Sequence, residues 1–358
     1  MQLAFYAPMK APDHPVPSGD RSIARALLAA LRRTGAQVCL PSSLRSRDGK
    51  GDSAVQAAVQ AAADAEIDRL LPLGRTADWQ AWITYHNYYK APDLIGPAVS
   101  KGLGIPYVQI ESTRARKRLS GPWAAFAKAA EAASDAADVI FYFSTRDAVG
   151  LKENAHATQR LIHLRPFLSR DTLPRTGPVN GPMLSVGMMR AGDKIASFQI
   201  IADTLALLAT PDWRLDIAGD GPARHEVEHI MQPFGNRIKF LGQLDPPTLQ
   251  STYQNSSLMF WPGVNEALGM VYLEAQAAGL PVVAQDRPGM REVIAPAGYP
   301  TPQTGATALA QMLDGLLGQP EKRQQMGQDA QTYVLENHLM PSATDTLRDG
   351  LASIGVAT

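Results

Sequence analysis

The chain has 358 residues, 45% of them apolar and 19% charged, and its 34 basic side chains balance 34 acidic ones. This length exceeds one ordinary hydrophobic core and predicts two domains, while the composition excludes a disordered protein. The single cysteine, Cys39, excludes an internal disulfide framework and is typical of a reducing compartment. The N-terminus lacks the pattern of a secretory leader and no uncharged apolar run reaches the length of a membrane span, so a cytoplasmic protein is expected.

The first part of the chain alternates short apolar segments with helical patterns. Strands are expected at residues 3–6, 37–40, 82–85, 105–110 and 139–143, and helices at about 22–33 and 54–71. Alternation of this kind predicts a parallel, doubly wound sheet. Residues 1–165 are therefore assigned to an N-terminal Rossmann-like domain of the α/β class.

The pattern breaks at residues 166–182, which contain six prolines and glycines and indicate a linker. A second alternation follows. Its strands are expected at residues 183–186, 214–218, 238–241, 257–261 and 282–284, and its helices near 195–208 and 222–231. Residues 183–339 thus form a second Rossmann-like domain, and a helix at about 340–358 is expected to pack on the first domain.

The two halves differ in charge. Residues 1–165 carry 21 basic and 15 acidic side chains, a surplus of +6, and the remainder carries 13 and 19, a balance of −6. This asymmetry favours two domains with different partners.

Two glutamates, Glu266 and Glu274, stand eight positions apart in a strand–loop–helix–strand unit, with Glu266 expected in the loop and Glu274 about two turns into the helix. Loops at the carboxyl ends of parallel strands line ligand crevices, so Glu266 is expected to face such a crevice. The next backbone amides, at Leu268, Gly269 and Met270, begin a helix whose N-terminus attracts phosphate. The spacing alone is uninformative, because two glutamates eight apart occur by chance in most proteins.

The surrounding residues make the pair specific. Glu-x7-Glu, then Ala-x-Ala-x-Gly-x-Pro-Val-Val, then Glu292 after a Pro-Gly turn, resembles the C-terminal domain of family 4 retaining glycosyltransferases. The resemblance implies the GT-B fold, in which two Rossmann-like domains face each other across a cleft. It implies a nucleotide-sugar donor, with Glu274 on the ribose hydroxyls and Glu266 on the donor sugar or its developing charge. It also implies chemistry without a metal or other cofactor. The resemblance is good over residues 183–351 and only in outline over residues 1–165.

A turn after the first strand of the second domain matches the same family. Enzymes of this family usually carry a Gly-Arg pair there and a lysine six or seven residues past the glycine, and these cations grip the donor pyrophosphate. Gly187 and Lys194 match, whereas Met188 stands where the arginine is expected. Arg190 is the candidate replacement, and solvated turn charges are the alternative for both cations.

Two further segments of the second half match in order, and one in the first half occupies a corresponding place. Gly219 lies in a glycine loop at the next strand end, where glycine lets the backbone approach a ligand closely. Leu244 ends the segment whose backbone is implied to face the nucleotide base. Gly19, in residues 17–20, occupies the place of a loop facing the donor phosphates.

His86 and Glu111 each follow or end a strand of the first domain. The family often has a histidine beside the reacting sugar, which makes His86 a catalytic candidate; a hydrogen-bonded structural histidine is the alternative. Glu111 is a candidate acceptor contact, with a surface glutamate as the alternative.

A cationic run, Arg114, Arg116, Lys117 and Arg118, precedes Trp123. Basic residues beside aromatic ones can lie on an anionic membrane surface, and the run can equally contact an acceptor phosphate or form a solvated loop. Nucleic acid is not expected, because stacking platforms and a strongly basic domain are missing.

The sequence therefore predicts a cytoplasmic retaining glycosyltransferase of hexosyltransferase type, peripheral at the inner face of the membrane if its acceptor is a membrane lipid. The family resemblance implies a UDP- or GDP-sugar as the donor. The sequence does not determine the sugar, the linkage or the oligomeric state. The alternatives are a soluble or carrier-linked acceptor, or a non-catalytic nucleotide-binding scaffold of the same fold. A dinucleotide oxidoreductase is disfavoured, since Gly19, Gly187 and Gly219 all lack the Gly-x-Gly-x-x-Gly pattern. No Cys/His cluster indicates a metal.

Overall fold

The computed structural model describes residues 1–16 and 18–356. Pro17, which begins the predicted glycine loop at residues 17–20, and the last two residues of the helix expected at 340–358 lie outside the described residues. Contacts divide the chain into two units, one formed by Met1–Arg165 with Met340–Thr358 and the other by Pro166–Leu339. No helix of the described ranges is long and apolar enough to cross a membrane.

The first unit contains a six-stranded parallel sheet. Its strands are Gln2–Tyr6 (β1), Gln37–Cys39 (β2), Ala81–Asn87 (β3), Tyr107–Ser112 (β4), Val139–Tyr142 (β5) and Arg160–His163 (β6). They are ordered β2-β1-β3-β4-β5-β6, so the direction of winding changes between β1 and β3. Ligands of doubly wound sheets bind at such a switch point, beyond the carboxyl ends of the strands. The loops after β1 and β3 are therefore the functional edge of this unit.

Three of the five helices of this unit that precede residue 155 begin at polar caps. The five are Gly19–Arg33 (α1), Ser53–Thr76 (α2), Gly96–Leu103 (α3), Ala124–Ala136 (α4) and Thr145–Asn154 (α5). Ser18 caps α1, because its hydroxyl accepts from the Arg21 amide at 3.3 Å, and Asp52 caps α2 by accepting from two amides. The sequence pattern did not predict α3, α5 or β6.

The second unit repeats the architecture with a five-stranded parallel sheet. Its strands are Met183–Val186 (β7), Leu215–Ala218 (β8), Ile238–Gly242 (β9), Met259–Phe260 (β10) and Val282–Val283 (β11). Its helices are Asp193–Leu205 (α6), Arg224–Met231 (α7), Pro246–Gln254 (α8), Met270–Ala277 (α9), Pro288–Arg291 (α10), Gly305–Leu317 (α11) and Pro320–Asn337 (α12). The order β11-β10-β7-β8-β9 places the switch between β7 and β10. The expectation of two parallel, doubly wound sheets is confirmed.

The last helix, Met340–Ala352 (α13), packs against α1 in the first unit. Leu347 is fully buried there, and Gly350 lies so close to the sheet that a Cβ would stand 2.2 Å from the Phe141 ring. The chain therefore returns to its first unit and completes that unit's core.

We expect Leu347→Ala to lower the unfolding free energy of the first unit by about 2–5 kcal/mol, because it removes a fully buried side chain and leaves a cavity. Urea unfolding followed at the indole NMR signal of Trp82, which is buried in this unit, measures the change. Arg348→Ala is the matched control on the exposed face of α13 and should change stability by about 1 kcal/mol or less. Equal effects of the two substitutions would contradict the packing of α13.

Candidate active site

Two loops of the second unit meet at the switch point between β7 and β10. Glu266, in the loop after β10, accepts a hydrogen bond from the Trp261 indole at 2.9 Å and forms an ion pair with Lys194. Lys194 comes from the second position of α6, and its ammonium lies 5.1 Å from the centre of the Trp261 ring. The fold thus joins two of the predicted site residues, and Trp261 holds both of them in place.

Glycines allow the backbone of these loops to pack closely against neighbouring atoms, because they have no Cβ. Gly263 has φ +70°, and a Cβ there would stand 2.0 Å from the Tyr272 hydroxyl, which donates to the Trp261 carbonyl at 2.9 Å. A Cβ on Gly289 would lie 1.9 Å from the carbonyl oxygen of Glu266. The position of Glu266 is therefore fixed by backbone contacts on both sides of the loop.

The predicted glycine turns of the second unit contact each other directly. A Cβ on Gly187 would stand 2.7 Å from the Trp261 ring, and one on Gly219, where φ is +139°, would stand 2.0 Å from the Gly187 carbonyl oxygen. In the same turn Met188 and Arg190 are exposed. Within residues 1–16 and 18–356, Arg190 has no carboxylate partner, so its charge stays available to a bound anion.

Glu274 is the fifth residue of α9, just over one turn into the helix rather than the expected two turns. The Tyr253 hydroxyl donates to its carboxylate at 3.0 Å. Burial raises the pKa of Glu274, and the Tyr253 hydrogen bond and the charge of Arg170 offset this only in part. A carboxylate that already accepts a hydrogen bond from one hydroxyl group can also accept hydrogen bonds from the hydroxyl groups of a ligand.

The remaining predicted donor contacts surround the start of α9 and the end of β9. Gly269 caps α9 in the left-handed conformation at φ +59°, with Leu268 and Met270 half-buried on either side. Leu244 is half-buried in the turn that follows β9. In the first unit, Gly19 is the first residue of α1, and nothing lies within 4 Å of the position of a Cβ.

His86 stands between two carboxylates at the functional edge of the first sheet. Its Nδ1 lies 3.6 Å from Asp20 Oδ1 and 3.6 Å from Glu111 Oε2. His86 and Glu111, at the ends of β3 and β4, both have positive φ, at +71° and +60°. Non-glycine residues pay a conformational cost for this geometry, and such strain concentrates at functional sites. His86 and Glu111 are predicted from the sequence. Asp20 is not, because it reaches His86 only through the packing of α1.

The carboxylates control the ionisation of His86. Burial alone would lower the pKa of His86, but the charges of Glu111 and Asp20 outweigh burial and raise it. Burial raises the pKa of Glu111, and His86 offsets part of this shift. Burial would also raise the pKa of Asp20, yet the interaction with His86 lowers it overall. A raised pKa favours the imidazolium, which donates hydrogen bonds and accepts none, so His86 is better suited to hold a substrate oxygen than to remove a proton.

The cationic run does not present four free charges, which corrects the expectation for Arg114. The Arg114 side chain is only 4% exposed and pairs with Glu131 at 2.9 Å and Asp135 at 2.7 Å. The charge of Arg114 is neutralised within the protein because α4 places these two carboxylates beside it.

The other members of the run remain accessible. Arg116 donates to the Asn154 side chain at 2.6 Å, and Lys117 is exposed. The guanidinium of Arg118 lies 5.4 Å from the centre of the Trp123 ring. No cluster of three or more His, Cys, Asp or Glu side chains suited to a metal occurs in the described ranges.

Comparison with known proteins identifies the second unit. Residues 195–333 match the sequence family described as Glycosyl transferases group 1. The chain is 32% identical over 136 residues to a GDP-mannose-dependent monoacylated alpha-(1-6)-phosphatidylinositol monomannoside mannosyltransferase of Corynebacterium glutamicum, and this match spans 36% of each chain. It is 27% identical over 283 residues to the alpha-D-kanosaminyltransferase of Streptomyces kanamyceticus, which spans 72% of this chain and 73% of that enzyme. The match to the glycosyl transferases group 1 family lies within the second unit.

Solved structures extend the likeness to the whole chain. Sucrose-phosphate synthase from Thermosynechococcus elongatus superposes with a TM-score of 0.70 at 17% identity and covers 100% of both chains. The Anabaena protein HepE, in complex with UDP and glucose, gives 0.70 at 18% identity and covers 99% of this chain and 100% of its own. At these identities the comparison establishes the fold alone, and the expected GT-B fold is confirmed.

We expect Glu111→Gln to lower the pKa of His86, because it removes one of the two carboxylates beside His86 that favour the imidazolium. Titration of the His86 ring signals by NMR, assigned with a His86→Gln variant, measures the shift. Because the pKa of His86 is raised on folding, its contribution to stability is complete below the unfolded pKa and is lost as the pH rises through the folded pKa. Glu153→Gln, at an exposed site in the same unit, should leave the titration unchanged. An unaltered pKa of His86 in Glu111→Gln would refute this account of the cluster.

Proposed function

We propose that the protein is a family 4 retaining glycosyltransferase of hexosyltransferase type, which moves a sugar from a nucleotide-sugar donor to an acceptor hydroxyl. The observation that carries the proposal is the Lys194–Glu266 ion pair on Trp261, set at the switch point of the unit that matches the glycosyl transferases group 1 family. A lysine is held there beside a carboxylate, next to the exposed Arg190 and the first turn of α9. Cations and helix amides together suit a pyrophosphate.

In this mechanism the bond between the sugar carbon and the donor phosphate oxygen breaks, while the acceptor oxygen bonds to the same face of that carbon. The acceptor proton passes to the departing phosphate oxygen. Charge accumulates on the pyrophosphate as the bond breaks, and Lys194, Arg190 and the amides near Gly269 stabilise it. The pyrophosphate draws Lys194 away from Glu266 and frees that carboxylate for the donor sugar. Glu274 holds the ribose hydroxyls, and His86 holds an oxygen of the reacting sugar.

The donor is proposed to be a UDP- or GDP-sugar. The corynebacterial relative is named as GDP-mannose-dependent, and HepE was solved with UDP and glucose, and these two names support both nucleotides as candidates. We propose that neither a metal nor another cofactor takes part, since two cations and a helix N-terminus can compensate the pyrophosphate. The proposed acceptor is a membrane lipid reached by a cytoplasmic, peripheral enzyme; a soluble or carrier-linked acceptor is the competing class.

A non-catalytic nucleotide-binding scaffold is the second candidate function. The observation that favours it is Met188, an exposed apolar side chain at the position where a cation would grip the pyrophosphate. Such a protein would bind nucleotide but stabilise the leaving group too weakly for turnover.

We expect Lys194→Ala to reduce turnover by at least ~100-fold, the usual cost of losing one electrostatic partner of the transition state. The donor for this assay is first identified by thermal shift across a panel of UDP- and GDP-sugars. Arg190→Ala should cause a comparable loss if Arg190 replaces the missing arginine, and Lys322→Ala, an exposed lysine on α12, is the matched control. Near-normal turnover of Lys194→Ala would exclude its assigned role.

Glu266→Ala and Glu274→Ala should both impair transfer, but in different kinetic terms. Loss of Glu274 should mainly weaken nucleotide binding and raise KM, because ribose contacts act in ground and transition states alike. Loss of Glu266 should mainly lower kcat. The scaffold function would be supported instead if the wild-type protein bound nucleotide and neither transferred nor hydrolysed any sugar across the panel.

A further inference from the structure

Three loops of the first unit converge beside His86; they are residues 44–52, 88–95 and 118–123. The Asp48 amide donates to the Lys90 carbonyl at 2.8 Å, and the Trp123 indole donates to the Asp48 carbonyl at 3.2 Å. The Ser46 hydroxyl donates to the Pro92 carbonyl at 2.6 Å. The loops therefore form one connected surface although they are far apart in sequence.

Asp48 makes the first loop rigid. Its buried carboxylate accepts from the amides of Lys50 at 2.8 Å, Gly51 at 3.1 Å and Asp52 at 2.8 Å, and from the Gln56 side chain at 2.8 Å. Burial would raise the pKa of Asp48, but these hydrogen bonds outweigh burial and lower it. Because its oxygens are already engaged, Asp48 is a structural anchor and not a counter-ion for the surface.

The second loop is fixed at both ends. The Asp93 amide donates to the Asn87 side chain at 2.9 Å, and the Asp93 carboxylate accepts from the Tyr107 hydroxyl at 2.7 Å and the Gly96 amide at 2.8 Å. The segment between these anchors, Tyr88 to Lys90, is held in a defined position while its side chains remain partly exposed.

A series of aromatic rings runs along this surface from His86. Successive ring centres are 4.8 Å apart from His86 to Tyr88, 5.6 Å from Tyr88 to Tyr89 and 5.8 Å from Tyr89 to Trp123. Aromatic faces bury apolar area well, and the apolar face of a sugar or polyol ring can pack on them.

Cations accompany the rings. Lys90 lies 5.6 Å from the Tyr89 ring centre, Arg118 lies 5.1 Å from it, and Arg47 interacts with the Tyr88 hydroxyl. None of these cations has a carboxylate partner in the part of the chain that the structure describes, and the buried Nε of Arg118 has no hydrogen-bond partner there. We call this surface the aromatic–cation platform; it comprises Arg47, Tyr88, Tyr89, Lys90, Arg118 and Trp123.

The platform has opposite character at its two ends. His86 lies with the carboxylates of Asp20 and Glu111 at one end, where hydroxyl groups can be held by hydrogen bonds. Unpaired guanidinium and ammonium groups stand at the other end. Guanidinium forks bind phosphate oxygens in pairs, and an ammonium adds a compact charge.

We infer that the aromatic–cation platform binds an acceptor that carries a phosphate group on a polyhydroxylated ring. The ring packs on the tyrosines, the phosphate is bound by Arg118 and Lys90, and a free hydroxyl points toward His86. This inference rests on the proposed function, since it assigns an acceptor class to the same enzyme. Phosphate of this kind occurs in soluble sugar phosphates and in the head groups of phosphoinositides, and the chemistry of the platform is the same for both.

The test uses the indole NMR signals of the full chain, which has five tryptophans. Glucose 6-phosphate is added as the soluble probe and glucose as its neutral counterpart, and Trp123 is assigned with Trp123→Phe. We expect glucose 6-phosphate to shift the Trp123 signal while the buried Trp79 and Trp82 stay unchanged, and glucose to bind at least about 10-fold more weakly. Phosphatidylcholine vesicles with or without phosphatidylinositol form the second arm, scored by co-sedimentation.

The variant Lys90→Gln/Arg118→Gln should weaken binding of the phosphate probe at least about 10-fold, because it removes two charge-assisted contacts. Lys101→Gln/Arg75→Gln is the matched control, with the same charge change at exposed sites of the same unit. A response to glucose 6-phosphate alone assigns a soluble acceptor, and one to phosphatidylinositol vesicles alone assigns a lipid head group; both support the platform.

Three results would overturn the inference: equal affinity for glucose and glucose 6-phosphate, no effect of the double substitution, or no response in either arm. The Trp261 signal reports separately on the donor site when UDP, GDP and their sugars are added. A silent Trp261 with a responsive Trp123 would refute the proposed function and leave the phosphate site standing. A responsive Trp261 signal with a silent Trp123 signal would refute only the phosphate-binding role of the platform.

Discussion

Close backbone packing at the carboxyl ends of β7, β8 and β10 is the constraint on which the candidate donor site depends. Gly219 abuts the Gly187 carbonyl, Gly187 abuts the Trp261 ring, and Gly289 abuts the Glu266 carbonyl. Each contact is too short for a Cβ, so the glycines are required by packing before any ligand is considered. The ion pair of Lys194 and Glu266 is then a consequence, because loops packed this closely bring both side chains to one indole ring.

The charge of Lys194 and the charges of Lys90 and Arg118 are balanced in different ways. In the second unit the Lys194 charge is compensated by Glu266, so an anion must compete with an internal partner and is bound only if its own charge is larger. Among the residues that the structure describes, Arg118 and Lys90 contact aromatic faces and no carboxylate, and such faces attract cations weakly compared with a carboxylate. A pyrophosphate, with its larger charge, suits the site of Lys194, and a single phosphate suits the surface of Lys90 and Arg118.

The meeting of Lys194 and Glu266 could be predicted from sequence because the candidate donor residues sit in consecutive strand–loop–helix units. Glu266 and Glu274 flank the start of one helix, and Lys194 follows the first strand, so their spacing carries the information. Trp261 was missed because a tryptophan at a strand end looks like core until the fold sets Lys194 beside it. Asp20 was missed for the same reason, since its meeting with His86 depends on how α1 packs against β3. The exposure of Arg114 was wrongly predicted because its partners, Glu131 and Asp135, lie on α4, and no sequence spacing connects them with Arg114.

The surface that we assign to the acceptor depends on tertiary contacts even more strongly. Its members come from three loops joined by Asp48, and no local pattern connects Arg47 with Tyr89 or Arg118. Because hydrogen bonds anchor the Asp48 loop and the Asn87–Asp93 loop, the backbone positions of Arg47 and Lys90 relative to His86 are set by the protein and not by the ligand. Rigid spacing of this kind selects acceptors by length: a phosphate too near the reacting hydroxyl cannot satisfy both ends at once. Substitutions at the exposed tips of these loops can therefore change acceptor preference while the sheets and the donor site stay as they are.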